Sequence, residues 1–150
     1  MKTDEYKKII KFAVGNEIEA YDFYKGVADK TKDAGLKKIF ADLAAEEAGH
    51  RKLLEGLASG KGQMHFDESK DYKVAESINK PKLSMSMKPA DAIALAVKNE
   101  QEAMEMYKEM ASCSTDAEQK KMFQSLANME QGHKVKLEDT FTNMAFPEAW

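Results

Sequence analysis

Two copies of one short motif contain the residues best suited to chemistry. Glu47-Ala-Gly-His50 returns 83 positions later as Glu130-Gln-Gly-His133. Residues three apart on an α-helix lie on the same face, so a carboxylate and an imidazole at this spacing can bind one metal ion. Apolar residues recur around both motifs at steps of three and four, which predicts that the motifs face the core. A buried carboxylate is costly unless it is paired, so we expect each motif to bind a cation.

An internal repeat extends from these motifs to most of the chain. The same offset aligns residues 14–28 with 97–111, where eight of fifteen positions are identical. It also aligns residues 36–55 with 119–138, where ten of twenty are identical. Two helical hairpins related in this way should pack about an approximate twofold axis, which brings equivalent ligands face to face.

The repeat supplies a further matched pair of glutamates and completes a set of six predicted metal ligands. They are Glu17, Glu47, His50, Glu100, Glu130 and His133. Two divalent ions would neutralise the four carboxylates, so charge balance favours two ions over one. Carboxylate and imidazole ligands without thiolate suit iron, manganese or zinc. Without metal, the buried carboxylates should repel one another, so some of them should take up protons and their pKa values should rise.

The same periodicity predicts an all-α protein in which residues 1–150 form one domain. The expected helices lie at about 5–30, 36–58, 87–111 and 116–139. The expected helix caps are Thr3 or Asp4, Asp33 or Gly35, Ser86, and a capping box from Thr115 to Glu118. Residues 59–86 lack a helical period and are interpreted as a long crossover between two antiparallel hairpins, which is how one class of four-helix bundle is connected.

Other polar residues of the repeat have less specific interpretations. Tyr24 and Tyr107 lie seven residues beyond the first-helix and third-helix glutamates on the same face, so their hydroxyls are predicted to hydrogen-bond ligand carboxylates. An ordinary core role is the alternative for both. Glu19 and Glu102 also recur, but they point away from the ligands and are interpreted as surface or interface charges. For the six ligands, the simpler alternative is two core histidines that are each satisfied by a glutamate.

Composition and charge narrow the class of protein. The net charge is −3, from 23 basic and 26 acidic residues without a basic stripe, so neither nucleic acid nor membrane is expected as a partner. No apolar run reaches the length of a signal peptide or a membrane span, so we expect a cytoplasmic protein. The single cysteine, Cys113, excludes an internal disulfide and a four-cysteine metal site within these residues.

The four-part ligand pattern resembles the ferritin-like superfamily, and within it the rubrerythrin-type di-iron proteins. The resemblance covers all four predicted helices and implies a ferritin-like four-helix bundle with two iron ions. It also implies that Glu47 and Glu130 bridge the two ions. The remaining ligands would pair as Glu17 with His50 and Glu100 with His133.

Two features depart from the rubrerythrin pattern. Rubrerythrins usually carry a rubredoxin-like domain with a four-cysteine iron, which these residues lack, so an external redox donor protein is implied. They also carry an extra glutamate one turn from the third-helix ligand. Here the residues three positions before and after Glu100 are Val97 and Ala103. A symmetric set of six ligands is therefore expected.

Three functions are compatible with these residues. The first is a non-haem di-iron oxidoreductase that reduces peroxide or dioxygen, as in a response to oxidative stress, with the external donor returning electrons. The second is a ferroxidase, for which Fe(II) is the substrate. The third is a non-catalytic metal-binding or interaction bundle. A homodimer is expected, and the aromatic segment from Phe141 to Trp150 should pack on the bundle or on another subunit.

The repeat leads to a prediction about stoichiometry. The folded protein should bind close to two metal ions per chain, because the two half-sites carry the same ligands and one divalent ion would leave excess negative charge. Metal analysis after anaerobic loading with Fe(II), Mn(II) or Zn(II) measures this number. A value near zero for all three metals would contradict the metal site.

Overall fold

Two helical hairpins form the part of the chain that the computed structural model describes, which comprises residues 3–59, 64–67, 69 and 82–143. The helices are α1 (Thr3–Lys30), α2 (Ala34–Ala58), α3 (Pro89–Cys113) and α4 (Ala117–Asn143). α1 packs along α2, and α3 packs along α4. The predicted four-helix bundle is confirmed, although α4 ends at Asn143 instead of near residue 139.

Two apolar clusters fill the bundle, one on each side of its middle. The first includes Tyr6, Ile10, Leu54, Met110, Phe123 and Leu126. The second includes Phe23, Phe40, Leu43, Ile93, Ala96 and Leu137. On every helix the predicted ligands lie between the residues of one cluster and those of the other, as Glu17 does on α1 between Ile10 and Phe23. The polar site is therefore enclosed by apolar side chains along the bundle axis.

Local side-chain chemistry fixes where α2 begins. Asp33 precedes the first turn with an extended backbone, and its Oδ1 accepts a hydrogen bond of 3.0 Å from the backbone N–H of Leu36. This bond satisfies one of the N–H groups that a helix start leaves without a partner. The predicted Asp33 cap is confirmed, and Gly35 lies inside the helix.

The predicted starts of α3 and α4 are wrong by one or two residues. α3 begins at Pro89, which needs no partner for an N–H, and the preceding Lys88 provides no side-chain cap. Ser86 instead contacts Ser84. At α4 the cap is Asp116 rather than Thr115, since its carboxylate accepts from the backbone N–H of Gln119 at 2.9 Å.

Short described stretches of the crossover are attached to the bundle at both of its ends. The ring of Phe66 stacks on Tyr6 with 4.0 Å between centroids, and Asp67 donates its backbone N–H to the carbonyl of Cys113. At the other end, the Leu83 N–H donates to Glu19 Oε1 at 2.5 Å. Glu19 is therefore a partly buried anchor for the crossover, and its interpretation as a surface or interface charge is wrong.

The remaining parts of the predicted crossover and of the aromatic segment lie outside the described residues. Phe141 is described at the end of α4 and is 45% exposed. Phe146 and Trp150 are not among the described residues. None of the described helices combines the length and apolar character that crossing a membrane requires.

The two capping results can be tested with one pair of variants. Asp33→Ala should lower the free energy of unfolding of the metal-free protein by about 1 kcal/mol, because it removes the acceptor for the Leu36 N–H. Ser86→Ala should change it by less than about 0.5 kcal/mol, since Ser86 caps no helix. Urea denaturation followed by circular dichroism measures both. Equal losses in the two variants would contradict the assigned helix starts.

Candidate metal centre

All six predicted ligands lie in the middle turns of the helices and are buried. Their exposed fractions are 1 to 3%. The structure brings them together in two overlapping groups of possible ligand atoms that lie within 4.8 Å of one another. One group is Glu17, Glu47, His50 and Glu130, and the other is Glu47, Glu100, Glu130 and His133. Glu47 and Glu130 belong to both groups, as shared bridging ligands must.

The contacts of the two halves match closely. His50 Nδ1 is 2.7 Å from Glu130 Oε1, and His133 Nδ1 is 2.7 Å from Glu47 Oε1. Each histidine therefore lies closest to the shared carboxylate of the other hairpin. The two imidazole rings are nearly parallel, with centroids 5.6 Å apart and 14° between their planes. The approximate twofold axis expected from the repeat accounts for this arrangement.

The unsatisfied atoms of the site test whether a metal fits it. Each of the six residues has one buried nitrogen or oxygen atom without a hydrogen-bond partner. These atoms are Glu17 Oε2, Glu47 Oε1, His50 Nδ1, Glu100 Oε2, Glu130 Oε1 and His133 Nδ1. Leaving a buried polar group unsatisfied costs about 1–3 kcal/mol, and more for a charged one. Cations bound among these atoms would satisfy them together, and the oxygen and imidazole set suits a pair of divalent ions.

The simpler alternative, two core histidines that are each satisfied by one glutamate, does not account for the number of carboxylates at the site. His50 Nδ1 lies within 4.0 Å of carboxylate oxygens of three glutamates, Glu130, Glu17 and Glu47. Glu47, Glu100 and Glu130 surround His133 Nδ1 in the same way. One imidazole nitrogen carries at most one proton, so a pair of histidines alone leaves buried carboxylates without a balancing charge. The residues fit a di-metal site better than they fit a core hydrogen-bond pair.

Two tyrosines hold the outer glutamates in a crossed arrangement. The Tyr24 hydroxyl donates to Glu100 Oε1 at 2.6 Å, and the Tyr107 hydroxyl donates to Glu17 Oε1 at 2.5 Å. Each hairpin thus orients a glutamate of the other and leaves the second oxygen, Oε2, free to face the site. Burial and the nearby carboxylates raise the pKa of both tyrosines well above 10.0, so they remain neutral donors.

The carboxylates of the metal-free site do not all respond alike. Burial and the charges of the neighbouring carboxylates hold the pKa of Glu47 and of Glu130 well above the ordinary value of 4.5. Glu17 differs, because burial acts to raise its pKa but favourable interactions with Glu47 and His50 outweigh it, and the pKa is lowered. Glu17 is therefore not among the carboxylates whose pKa rises. A protonated neighbour can stabilise one ionised carboxylate, which uniform repulsion ignores.

The outward nitrogen of each histidine, Nε2, has a partner that helical spacing does not predict. His133 Nε2 forms a short hydrogen bond with Glu46 Oε2, and His50 Nε2 lies 3.4 Å from Met129 Sδ. The carboxylates of Glu100 and Glu46 outweigh burial and raise the pKa of His133. The sequence contains one indication of these contacts: Glu46 and Met129 occupy equivalent positions of the repeat, one residue before the shared glutamates.

A small cavity lies between α1 and α3 beside the site. Its volume is about 30 Å³, and its lining includes Asn16, Tyr24, Leu83 and Asn99 together with four of the ligand glutamates. That volume accommodates one or two molecules the size of water. Asn99 Oδ1 is buried there without a hydrogen-bond partner. The cavity gives the site room for a small polar molecule next to the ligands.

Fold and site together define a ferritin-like protein with a carboxylate and histidine cluster suited to two metal ions. The rubrerythrin family model matches residues 8–141, which include all six cluster residues. The chain belongs to the rubrerythrin family.

Two solved structures share this fold over nearly the whole chain. A hypothetical protein from Pyrococcus furiosus is 25% identical, with 91% of this chain and 87% of that one covered and a TM-score of 0.68. A protein of Thermotoga maritima, provisionally named a ferritin-like diiron-carboxylate protein, is 18% identical, with coverage of 95% and 96% and a TM-score of 0.68. No curated protein sequence matches the chain.

The pKa directions predict how the stability of the metal-free protein depends on pH. The raised pKa values of Glu47 and Glu130 stabilise the folded state fully below about pH 4.5, and this stabilisation is lost as the pH rises through the raised values. His133 acts in the same direction above its ordinary value of 6.5. The metal-free protein should therefore melt at a lower temperature at pH 7 than at pH 5. Metal should raise the melting temperature more at pH 7, because ligation requires deprotonated carboxylates.

A pair of glutamine variants provides the control. Glu47→Gln with Glu130→Gln should stabilise the metal-free protein at pH 7 by about 1 kcal/mol or more, because the buried groups no longer ionise. Glu17→Gln should give no such gain, since the folded state favours its carboxylate form. Thermal melts at both pH values, with and without Zn(II), measure these effects. A metal-free protein whose stability responds to neither pH nor the double substitution would show that the carboxylates do not converge.

Proposed function

We propose that this protein is a non-haem di-iron oxidoreductase that reduces peroxide or dioxygen with electrons from a separate redox protein. The observation that carries the proposal is the pair of overlapping ligand groups that share Glu47 and Glu130. Two ions held this close can act on one small molecule, which two isolated sites cannot do. Membership of the rubrerythrin family supports the choice of iron over manganese or zinc.

The six cluster residues divide naturally between the two ions. Glu17 and His50 would hold one ion, Glu100 and His133 the other, and the two shared glutamates both. When bound, two ferrous ions supply two electrons, which is the number that cleavage of the O–O bond of peroxide consumes. The protein would supply the geometry and the surroundings in which this transfer occurs.

The residues around the ligands favour a small oxidant. The cavity of about 30 Å³ beside the glutamates has room for a molecule the size of peroxide or dioxygen. The apolar clusters on both sides exclude bulk water from the ligands. The hydroxyls of Tyr24 and Tyr107 hold the outer glutamates in position while the charge of the site changes.

The electrons for repeated turnover are proposed to come from outside these residues. The 150 residues contain one cysteine, Cys113, and it is fully buried. A four-cysteine iron centre, the usual donor of the rubrerythrin pattern, cannot form from them. A separate redox protein is the donor that this proposal requires.

The proposal is tested by turnover of the iron-loaded protein. Protein loaded anaerobically with two Fe(II) per chain should consume hydrogen peroxide and return to the ferrous state when a reductant is added, over many cycles. Glu47→Ala and Glu130→Ala should each lower the rate by about 100-fold or more, because each removes a ligand shared by both ions. Glu55→Gln is the matched control, since Glu55 lies on the exposed side of α2, away from the six ligands, and pairs with Arg51.

Other outcomes would replace the proposed function. Repeated uptake and oxidation of excess Fe(II), without turnover of peroxide by the reductant, would identify a ferroxidase. Stable binding of two ions without either activity would identify a metal-binding bundle. Dioxygen in place of peroxide under the same conditions distinguishes the two proposed oxidants.

A further inference from the structure

The two halves of the site are alike at the ligands and unlike just outside them. Each histidine Nδ1 lies 2.7 Å from the shared carboxylate across the bundle. The distances to the outer glutamates are 3.7 and 3.6 Å, and those within each motif are 4.0 and 3.9 Å. The tyrosine hydrogen bonds are 2.5 and 2.6 Å. The inner parts of the half-sites therefore give no reason for the two ions to bind differently.

The outward nitrogens of the two histidines differ in their contacts through one pair of equivalent positions, Glu46 on α2 and Met129 on α4. Both reach across to the histidine of the other hairpin and contact its outward nitrogen, Nε2. On His133 the contact is a carboxylate oxygen, and on His50 it is a thioether sulfur at 3.4 Å. Both side chains are partly exposed, so each can be replaced without opening the core.

We propose that Glu46 makes the two half-sites unequal, so that the ion held by His133 binds first and more tightly than the ion held by His50. Glu46 would act through His133 and is thus a positioning residue. This inference rests on the proposed di-metal site. It adds the order in which the two ions bind, which cannot be inferred from the repeat or from the six ligands.

The chemistry of a metal-bound imidazole explains the direction. When Nδ1 binds a cation, Nε2 carries the ring proton, and the ring takes on part of the positive charge of the ion. A carboxylate at Nε2 accepts that proton in a hydrogen bond, fixes the ring orientation and makes the imidazole a stronger ligand. A thioether is an uncharged and weak acceptor, so Met129 gives His50 little of either effect. The loss of such a carboxylate partner typically weakens metal binding about 10- to 100-fold.

Binding of Co(II) to the intact protein tests the inference. Co(II) is added anaerobically, and the two stepwise dissociation constants are measured by calorimetry and by the visible absorption of the bound ion. Two ions that share carboxylates repel each other, so two binding steps are expected in every variant. The informative quantity is the second dissociation constant divided by the first. Glu46→Met should lower that ratio by about 10- to 100-fold by weakening the first step.

The reciprocal variants make the test specific. Met129→Glu should also lower the ratio, but by strengthening the second step. The double exchange of Glu46→Met with Met129→Glu should restore the ratio and move the first ion to His50. The position of the first ion is read from the paramagnetically shifted ring N–H resonance of the coordinated histidine, which is assigned with His133→Ala. Glu46→Gln keeps the shape without the charge and should lie between the wild type and Glu46→Met.

Each outcome has one meaning. A ratio that is the same in the wild type, Glu46→Met and Met129→Glu would overturn the inference and leave the di-metal site intact. A wild-type protein that binds no Co(II) would overturn the di-metal site and the inference together. Equal weakening of both steps in Glu46→Met, with a lower melting temperature of the metal-free protein, would show a merely structural role for Glu46. Because Met129→Glu adds a charge to a partly exposed position, it tests the inference even where Glu46→Met fails to fold.

Discussion

Four glutamate carboxylates converge in the centre of an apolar bundle, and the rest of the structure depends on how their charge is balanced. An isolated charge in such surroundings costs several kcal/mol, roughly, even after relaxation. Imidazole nitrogens on the inner side and tyrosine hydroxyls on the outer side offset part of this cost. The inward oxygens of Glu17 and Glu100, Oε2, still lack a hydrogen-bond partner. Cations bound at the cluster would complete this balance of charge.

The contacts that balance these charges run from one hairpin to the other, not within either hairpin alone. The helix backbones approach most closely within each hairpin, α1 along α2 and α3 along α4, whereas the two hairpins meet mainly through side chains. The contacts of the site run across that boundary, from Tyr24 to Glu100 and from Tyr107 to Glu17. Neither hairpin holds a satisfied set of polar groups by itself. The centre thus supplies much of the specific contact that determines how the two halves face each other.

The cluster could be predicted from the sequence for two reasons. A spacing of three residues places two side chains on one face of a helix, and the repeat gives both hairpins the same ligands. Helical periodicity determines which face a residue occupies, and that information sufficed for Glu47 and His50. It does not say which residue of another helix a side chain meets, so the partners of His50 and His133 and the anchoring role of Glu19 required the structure. Ser86 and Thr115 failed as caps because several polar residues near a helix start compete within one or two positions. The lowered pKa of Glu17 depends on which neighbouring groups, such as Glu47 and His50, carry protons in the folded state. The spacing of residues in the sequence does not give this information.

Divergence after duplication is constrained differently at the two nitrogens of each histidine. A change at an atom that faces the cations alters the number or geometry of ligands, which the charge of the site does not tolerate. A change at the outward nitrogen alters only how strongly the ring donates, because the partner approaches from a partly exposed helix surface. Glutamate and methionine are of similar length, so both reach an imidazole across the same distance between α2 and α4. The ligands can thus stay alike in both halves while the electronic environment of each ion is set separately, through a residue that never touches the metal.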